Sequence, residues 1–496
     1  MEKFLIFDIG AGSGRAIVGS FEDSRIEFEE IHRFDNRPVF AAGELFWDIL
    51  RLYSEVKIGI EICMKKHKEI NSMAIDTWGC DFGLIDKNGR LICNPVHYRD
   101  LKRHERSVQM HKIITEEELF MATGGPQDRI MSIYQLFSLK SEKAVEYENA
   151  HKFLMIPDIL NYLLTGEVSN EFTNATMSIM VDLNKRQWEK GVIRKLELRE
   201  DLFGTISEPG FMLGMTGKSI LEETGAKDLK VIISPSHDTA SAVAGIPIAD
   251  NFETPAFGIL GTWCMSGLET QNPVINKQVF EAGFGNEGGV EGKNMLLKNI
   301  TGLWVIQQCR EKWMRENQKE ISWKEIDAYV FASSESDSYI DVDESCFGKV
   351  QPDMSETIRD YCKKTNQSVP ETIGEISRCF YESLAMKFKY NFDVLKDLTK
   401  KDIEIIHLIG GGVNNKLLCQ WIANVLNVPV LAGPSETTSV GNMIFQLKAD
   451  GLINNVSEGR KLCMNSFDIK SYEPKDIIYW SDKYSKYLKI ARQKNT

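Results

Sequence analysis

The sequence predicts an α/β protein of two domains, each opened by a strand, a glycine loop and a second strand. Three observations carry that expectation. At 496 residues the chain exceeds what one hydrophobic core ordinarily serves. The stretch FLIFDIGAGSGRAIVGSF (4–21) passes from an apolar run through glycines into a second apolar run. The same order returns at TPAFGILGTWCMSGLET (254–270).

The first loop lies between strands, because AIVGSF and RIEFEEIHRF follow it and both read as strands. A dinucleotide-binding loop or a P-loop opens onto a helix instead. The glycines also run G-A-G-S-G over 10–14, not GxGxxG or GxxxxGK[ST]. A dinucleotide oxidoreductase is thereby disfavoured. Residues 45–70 show helical periodicity. NSMAIDTWGCDFGLIDKNGRLI (71–92) reads as a strand, a polar turn holding Asp76 and Asp81, a second strand and a tight DKNG turn. Residues 101–200 read as mostly helical, broken at TGGPQDR. DLKVIISPSHDTASAVAGIP (228–247) reads as a buried strand, a polar turn and a small-residue helix starting near Asp238. The boundary is placed in PIADNFE (247–253), giving domains of 1–247 and 248–496. Near 403 the chain runs strand, Gly-Gly-Gly, helix, strand, and the last ~25 residues read as a helix with a basic end.

A net charge of −12 argues against a nucleic-acid surface and means that an anionic ligand needs local devices such as backbone N–H groups. No apolar run approaches the ~20 residues that span a bilayer. The opening MEKF lacks a basic segment leading into an apolar one, so the chain reads as cytoplasmic, without a membrane partner. Ten cysteines with no CxxC fit reduced thiols, and eight histidines with no HExxH leave a structural zinc site unsupported.

Duplicated α/β halves with facing hairpin loops describe the actin-like (ribonuclease H-like) ATPase architecture, with the active site in the cleft between two domains. The first two glycine stretches, 10–14 and 258–261, would bring backbone N–H groups to phosphate oxygens. The third, 410–412, would let a flat base approach the backbone. Asp238 is the carboxylate singled out. Alone it reads as a helix N-cap. Its neighbours Ser236, His237 and Thr239 make a dense polar group at a strand's C-terminal end, where α/β sheets bind ligands. A kinase needs one carboxylate to take the proton of the attacking hydroxyl, and an aspartate at its ordinary pKa near ~3.9 would be ionised. Asp8, beside the first loop, suits a water-mediated Mg²⁺ contact. Arg15 suits either phosphate or a surface ion pair. DTWGCDFG (76–83) suits a sugar: carboxylates and backbone for hydroxyls, Trp78 for an apolar face, with Trp78 as plain core the alternative. Asn299 and Gln307 sit in polar breaks and suit a site lining, or a turn or cap.

With these segments in place, and with YRD (98–100), MIPDILNYLLTG, EFTNATMS, SHDTASAVA, NEGG and GGGVNNKLL, the chain resembles the FGGY carbohydrate kinases over nearly its whole length. Within them it is similar to the branch acting on L-rhamnulose. The resemblance implies ATP- and Mg²⁺-dependent phosphorylation of the sugar's 1-hydroxyl to L-rhamnulose 1-phosphate. Another ketose or deoxysugar such as L-fuculose, or a non-catalytic actin-like nucleotide-binding regulator, are the alternatives. By motif, Asp238 is implied as the base. Gly79, His237, Asp238, Thr239 and Asn299 are implied as sugar contacts, and Ala11, Gly12, Ser13, Gly14, Arg15, Thr262, Gln307 and Gly411 as ATP contacts. Departures stand at Ile259, Leu260 and Cys264, where the family usually has hydroxyls, at Asn414, where glutamine is usual, and in DRIMSIYQL (128–136), which lacks an asparagine-threonine pair.

Overall fold

The computed structural model describes residues 1–248, 255–335 and 337–491, with the side chains of 101–104 left aside. Most of the expected boundary segment 247–253, and the basic end at 492–496, lie outside the described residues. The chain divides into two compact units. The first comprises Met1–Phe252, Glu269–Leu296 and Thr437–Phe467; the second comprises Glu253–Leu268, Leu297–Glu436 and Asp468–Thr496.

In the first unit, β1 (Glu2–Ile9), β2 (Ser13–Glu22) and β3 (Arg25–Asp35) form an antiparallel meander. Strand Ser72–Thr77 pairs parallel with β1 on its other side, and Lys230–Ile233 pairs parallel with Ser72–Thr77. Alternation along β1 sends side chains to two cores. Leu5, Phe7 and Ile9 pack with Leu52, Val56 and Ile60 of the helix Ile49–Lys66. Phe4 and Ile6 pack with Val440, Met443 and Ile444 of the helix Thr437–Ala449. That second helix crosses Asp238–Ala244 at Gly441, where a Cβ would lie 1.8 Å from the Ser241 carbonyl oxygen. Only glycine permits this approach, and it brings the side chains of Ser439 and Asn442 to the sheet.

In the second unit, strands Ala256–Leu260 and Trp263–Thr270 form an antiparallel hairpin. Ile406–Ile409 and Val430–Ala432 continue the sheet in parallel, and Lys470–Tyr472 closes it antiparallel. The 27-residue helix Ile373–Thr399 begins at a reciprocal Thr372–Glu375 capping box, a feature worth about 1 kcal/mol, and buries Phe380, Leu384 and Phe388.

Several expectations change in detail. The helix expected over 45–70 spans Ile49–Lys66, because Asp48 caps it by accepting from Arg51 N, and Glu44–Phe46 forms a short strand. Asp76 lies on its strand rather than in the following turn. The region 101–200 includes a strand, Ala150–Met155, paired with Phe82–Asp86. Its six residues are too short a run for periodicity to distinguish strand from helix. Among the described residues no helix is long and apolar enough to cross a membrane.

Candidate active site

The first unit gathers its polar groups around the turn between Lys230–Ile233 and Asp238–Ala244. The Ser236 carbonyl accepts from Thr77 N at 2.8 Å and from Asn174 Nδ2 at 3.1 Å. Asp238 is the first residue of the helix and not its cap; His237 takes the cap position and makes no side-chain cap bond. Asp238 Oδ1 accepts from Thr239 N at 2.7 Å, and the side chain stays 35% exposed. His237 Nε2 lies 3.4 Å from Asp238 Oδ1, and Nδ1 lies 3.5 Å from Glu287 Oε2. A Cβ on Gly79 would come within 3.3 Å of the His237 ring, so Gly79 stands against it. Gly79, His237, Asp238 and Thr239 are thus together. Asn299 is exposed on strand Asn294–Thr301, in the second unit.

Three carboxylates share the edge of this group. Asp8 and Asp76 are register neighbours on parallel strands. Burial, and then the Asp8 charge, push Asp238 up to about 7. The sequence leads to an expectation of an ordinary pKa; partial burial at the helix start, beside the Asp8 carboxylate, disfavours the charged form. Burial first, then Asp8, also hold Asp76 well above the usual range. Asp76 Oδ2 accepts from Asn442 Nδ2 at 2.7 Å, while its buried Oδ1 has no hydrogen-bond partner among the described residues. Asp8 Oδ2 accepts from Arg15 Nη2 at 2.6 Å and from Ser439 Oγ at 3.4 Å. Arg15 is therefore joined to the carboxylate it faces across the hairpin. An all-oxygen donor set with one buried carboxylate oxygen lacking a partner fits a hydrated Mg²⁺, which takes one or two carboxylates and keeps its waters. Among the described residues no three His, Cys, Asp or Glu side chains form a direct cage.

Within DTWGCDFG, Trp78 and Asp81 are taken up by the core. Asp81 accepts from Trp47 Nε1 at 2.6 Å, Trp78 Nε1 at 2.9 Å and Gln135 Nε2 at 3.0 Å. Trp78 is buried and packs on Trp47 with ring centroids 4.2 Å apart. Its indole face belongs to the core, not to a sugar.

Ala11, Gly12, Ser13, Gly14 and Arg15 form the hairpin between β1 and β2. Gly14 is glycine for packing: a Cβ there would lie 2.2 Å from the Phe34 ring. Gly12 has no such reason, since a Cβ would meet nothing within 4 Å. In the second unit, Thr262, Gln307 and Gly411 line one cleft of about 950 Å³ with Trp323, Asp327 and Tyr381. Gly411 also lacks any neighbour within 4 Å of a Cβ, whereas one on Gly412 would meet Leu260 at 2.6 Å. Leu260 and Cys264 are fully buried, and Cys264 Sγ approaches the Gly261 carbonyl at 3.7 Å. Hydroxyls at those two positions would face the core, so the departures there leave the loop's outer face to Thr262.

The sequence reading did not single out Glu171, Glu287 or Asn442. Each is buried; Glu171 and Glu287 lie in the quoted segments EFTNATMS and NEGG without a role assigned there, and all three meet partners far away in sequence. Asn442 joins one strand residue, Asp76, 366 positions earlier in the chain.

Residues 3–245 match the model of the FGGY family of carbohydrate kinases, N-terminal domain, and 256–449 match its C-terminal domain. The chain belongs to the FGGY family of carbohydrate kinases. Its fold is the two-domain actin-like one, and its chemistry is sugar phosphotransfer. The chain is 36% identical to a rhamnulokinase of Bacteroides thetaiotaomicron over 99% of this chain and 100% of that one. It is 37% identical to a rhamnulokinase of Halalkalibacterium halodurans over 96% of this chain and 100% of that one. The fold is similar to a ligand-bound xylulose kinase from Lactobacillus acidophilus, with TM-score 0.80, 16% identity and coverage of 99% and 98%. It is also similar to Plasmodium falciparum glycerol kinase with ADP, with TM-score 0.78, 14% identity and coverage of 100% and 99%.

Proposed function

We propose that this FGGY kinase transfers the γ-phosphoryl group of ATP to the 1-hydroxyl of L-rhamnulose, giving L-rhamnulose 1-phosphate and ADP, in L-rhamnose breakdown in the cytoplasm. The observation that carries the sugar is the near-full-length similarity to proteins named rhamnulokinase. The proposed division of labour gives the sugar, the first phosphate loop and the base to domain 1–247 and nucleotide binding otherwise to domain 248–496.

Ionised Asp238 accepts the 1-hydroxyl proton as the O1–Pγ bond forms and the bond from Pγ to the β-phosphate oxygen breaks. Its raised pKa makes it a stronger base than an ordinary aspartate. Burial lowers the pKa of His237, so near neutral pH the ring is neutral, and Nε2, on the Asp238 side, is the atom it offers to a sugar hydroxyl. Thr239 and the backbone of Gly79 complete the proposed sugar contacts. Gly12 and Gly411 are open on their Cα faces, which supports close approach of phosphate and adenine. Ala11, Ser13, Gly14 and Arg15 share the phosphate loop, and Thr262 and Gln307 face the nucleotide cleft. Asp8, through water and with Asp76 beside it, would hold Mg²⁺, which neutralises charge on the transferring phosphoryl group. Asn299 is kept as a proposed sugar contact on the resemblance alone.

A panel of ketoses assayed for ADP release tests the substrate. L-Rhamnulose is expected to give the highest kcat/KM. L-Fuculose ahead of it would move the enzyme to another deoxyketose.

A further inference from the structure

The turn that carries Asp238 is held from the side by one buried carboxylate. Glu171 is fully buried. Its Oε2 accepts from Ser236 N at 3.1 Å, Ser236 Oγ at 2.7 Å, Thr173 Oγ1 at 2.6 Å and Asn174 N at 3.0 Å. Its Oε1 accepts from Thr173 N at 2.9 Å. Thr173 Oγ1 in turn accepts from His237 N at 3.2 Å. One carboxylate therefore fixes Ser236 directly and His237 through one hydroxyl. These are the two residues that precede Asp238, and the helix that Asp238 begins has no side-chain cap of its own. The opposite end of that helix is held by Arg460, which donates to the carbonyls of Val243 at 2.9 Å and Ala244 at 3.3 Å.

We propose that Glu171 is a positioning residue for phosphoryl transfer, setting the backbone of Ser236 and His237 so that Asp238 meets the sugar hydroxyl. It touches no reacting atom. The bonds it gathers are charge-assisted and buried, the kind that hold geometry to a fraction of an ångström. A cap alone is the competing role, since Glu171 also accepts from Thr173 N and Asn174 N at the start of Phe172–Ala175. Losing a cap lowers stability and leaves turnover by the folded enzyme unchanged.

The proposal rests on Asp238 as the base, so Asp238→Asn is assayed alongside. Purified full-length Glu171→Gln, Thr173→Val and Thr173→Ser are compared for kcat, for KM of sugar and ATP, and for melting temperature. Thr173→Val keeps the size of the side chain and removes the hydroxyl that joins Glu171 to His237; Thr173→Ser restores that hydroxyl. The expected result is kcat at least tenfold lower in Glu171→Gln and Thr173→Val, KM for ATP within twofold of wild type, and Thr173→Ser close to wild type. Folded Glu171→Gln with wild-type kcat overturns the proposal, as does Thr173→Val with the kcat of Thr173→Ser. If Glu171→Gln does not fold, the threonine pair decides. An active Asp238→Asn overturns the base and with it this proposal. An inactive Asp238→Asn beside fully active Glu171 and Thr173 variants overturns the positioning role alone.

Discussion

The two glycine hairpins share a backbone pattern and differ in what surrounds them. The hairpin between β1 and β2 turns beside three carboxylates and an arginine: Asp8, Asp76, Asp238 and Arg15. The hairpin at Gly261 and Thr262 has no charged side chain at its turn: its one acid, Glu269, lies buried at the far end of the second strand against Arg460 and Lys293, and its Leu260 and Cys264 are packed inward. The first surrounds itself with groups that take protons and suit a cation. The second opens on a cleft lined by Trp323, Tyr381 and open glycine backbone, with Lys324, Asp327 and Lys416 at its walls, which suits the flat base of a nucleotide. On the proposed reading, one supersecondary unit, used twice, manages charge in the first case and offers shape in the second.

The largest expected effect separates these roles. Asp238→Asn should lower kcat by about 10²–10⁴-fold, the range of a lost general base. Nucleotide affinity, read by calorimetry with ADP, should stay within twofold. Loss of nucleotide binding together with turnover would erase the distinction between the two hairpins.

The glycines give the next test. Gly411→Ala should leave the melting temperature unchanged, because its Cβ meets no atom of the protein within 4 Å. It should raise KM for ATP about tenfold, the result of crowding a close contact by one methyl group. Gly14→Ala should do the reverse of the first outcome, losing about 1–3 kcal/mol of stability in a denaturant titration as Phe34 is displaced. Equal melting temperatures for the two variants would contradict the division into packing and ligand glycines.

The acid limb of kcat/KM is a smaller effect. Asp238 must be ionised to act as base, and its pKa in the folded enzyme is raised to about 7. Activity is therefore full above that value and falls about tenfold per unit below it. Asp8→Asn removes the neighbouring charge and should move the limb to lower pH in whatever activity remains. A limb that stays fixed would remove Asp8 from the electrostatics of the base.

Much of this was readable from the sequence because it is local. The strand after Arg15 excluded a dinucleotide loop, and the polar run SPSHDT stood out between apolar segments. The position of Asp238 at a helix start is as expected, although His237 occupies the cap. What was not readable depends on burial and on distant chain. The raised pKa of Asp238 comes first from burial, which composition cannot report, and then from Asp8 on a distant strand. DTWGCDFG has the residues of a sugar site, yet Asp81 is taken by two indoles and an amide that lie 34, 3 and 54 residues away in sequence. Glu171 resembles any helix-capping acid until Ser236, 65 residues later, is seen to bond to it.

Product analysis tests the central assignment most directly. Wild-type enzyme, ATP, Mg²⁺ and L-rhamnulose should yield one sugar phosphate whose ³¹P resonance couples to the two protons of a CH₂ group, the signature of phosphate on the 1-hydroxyl. No sugar phosphate, or a phosphorus coupled to a single methine proton, would contradict the account.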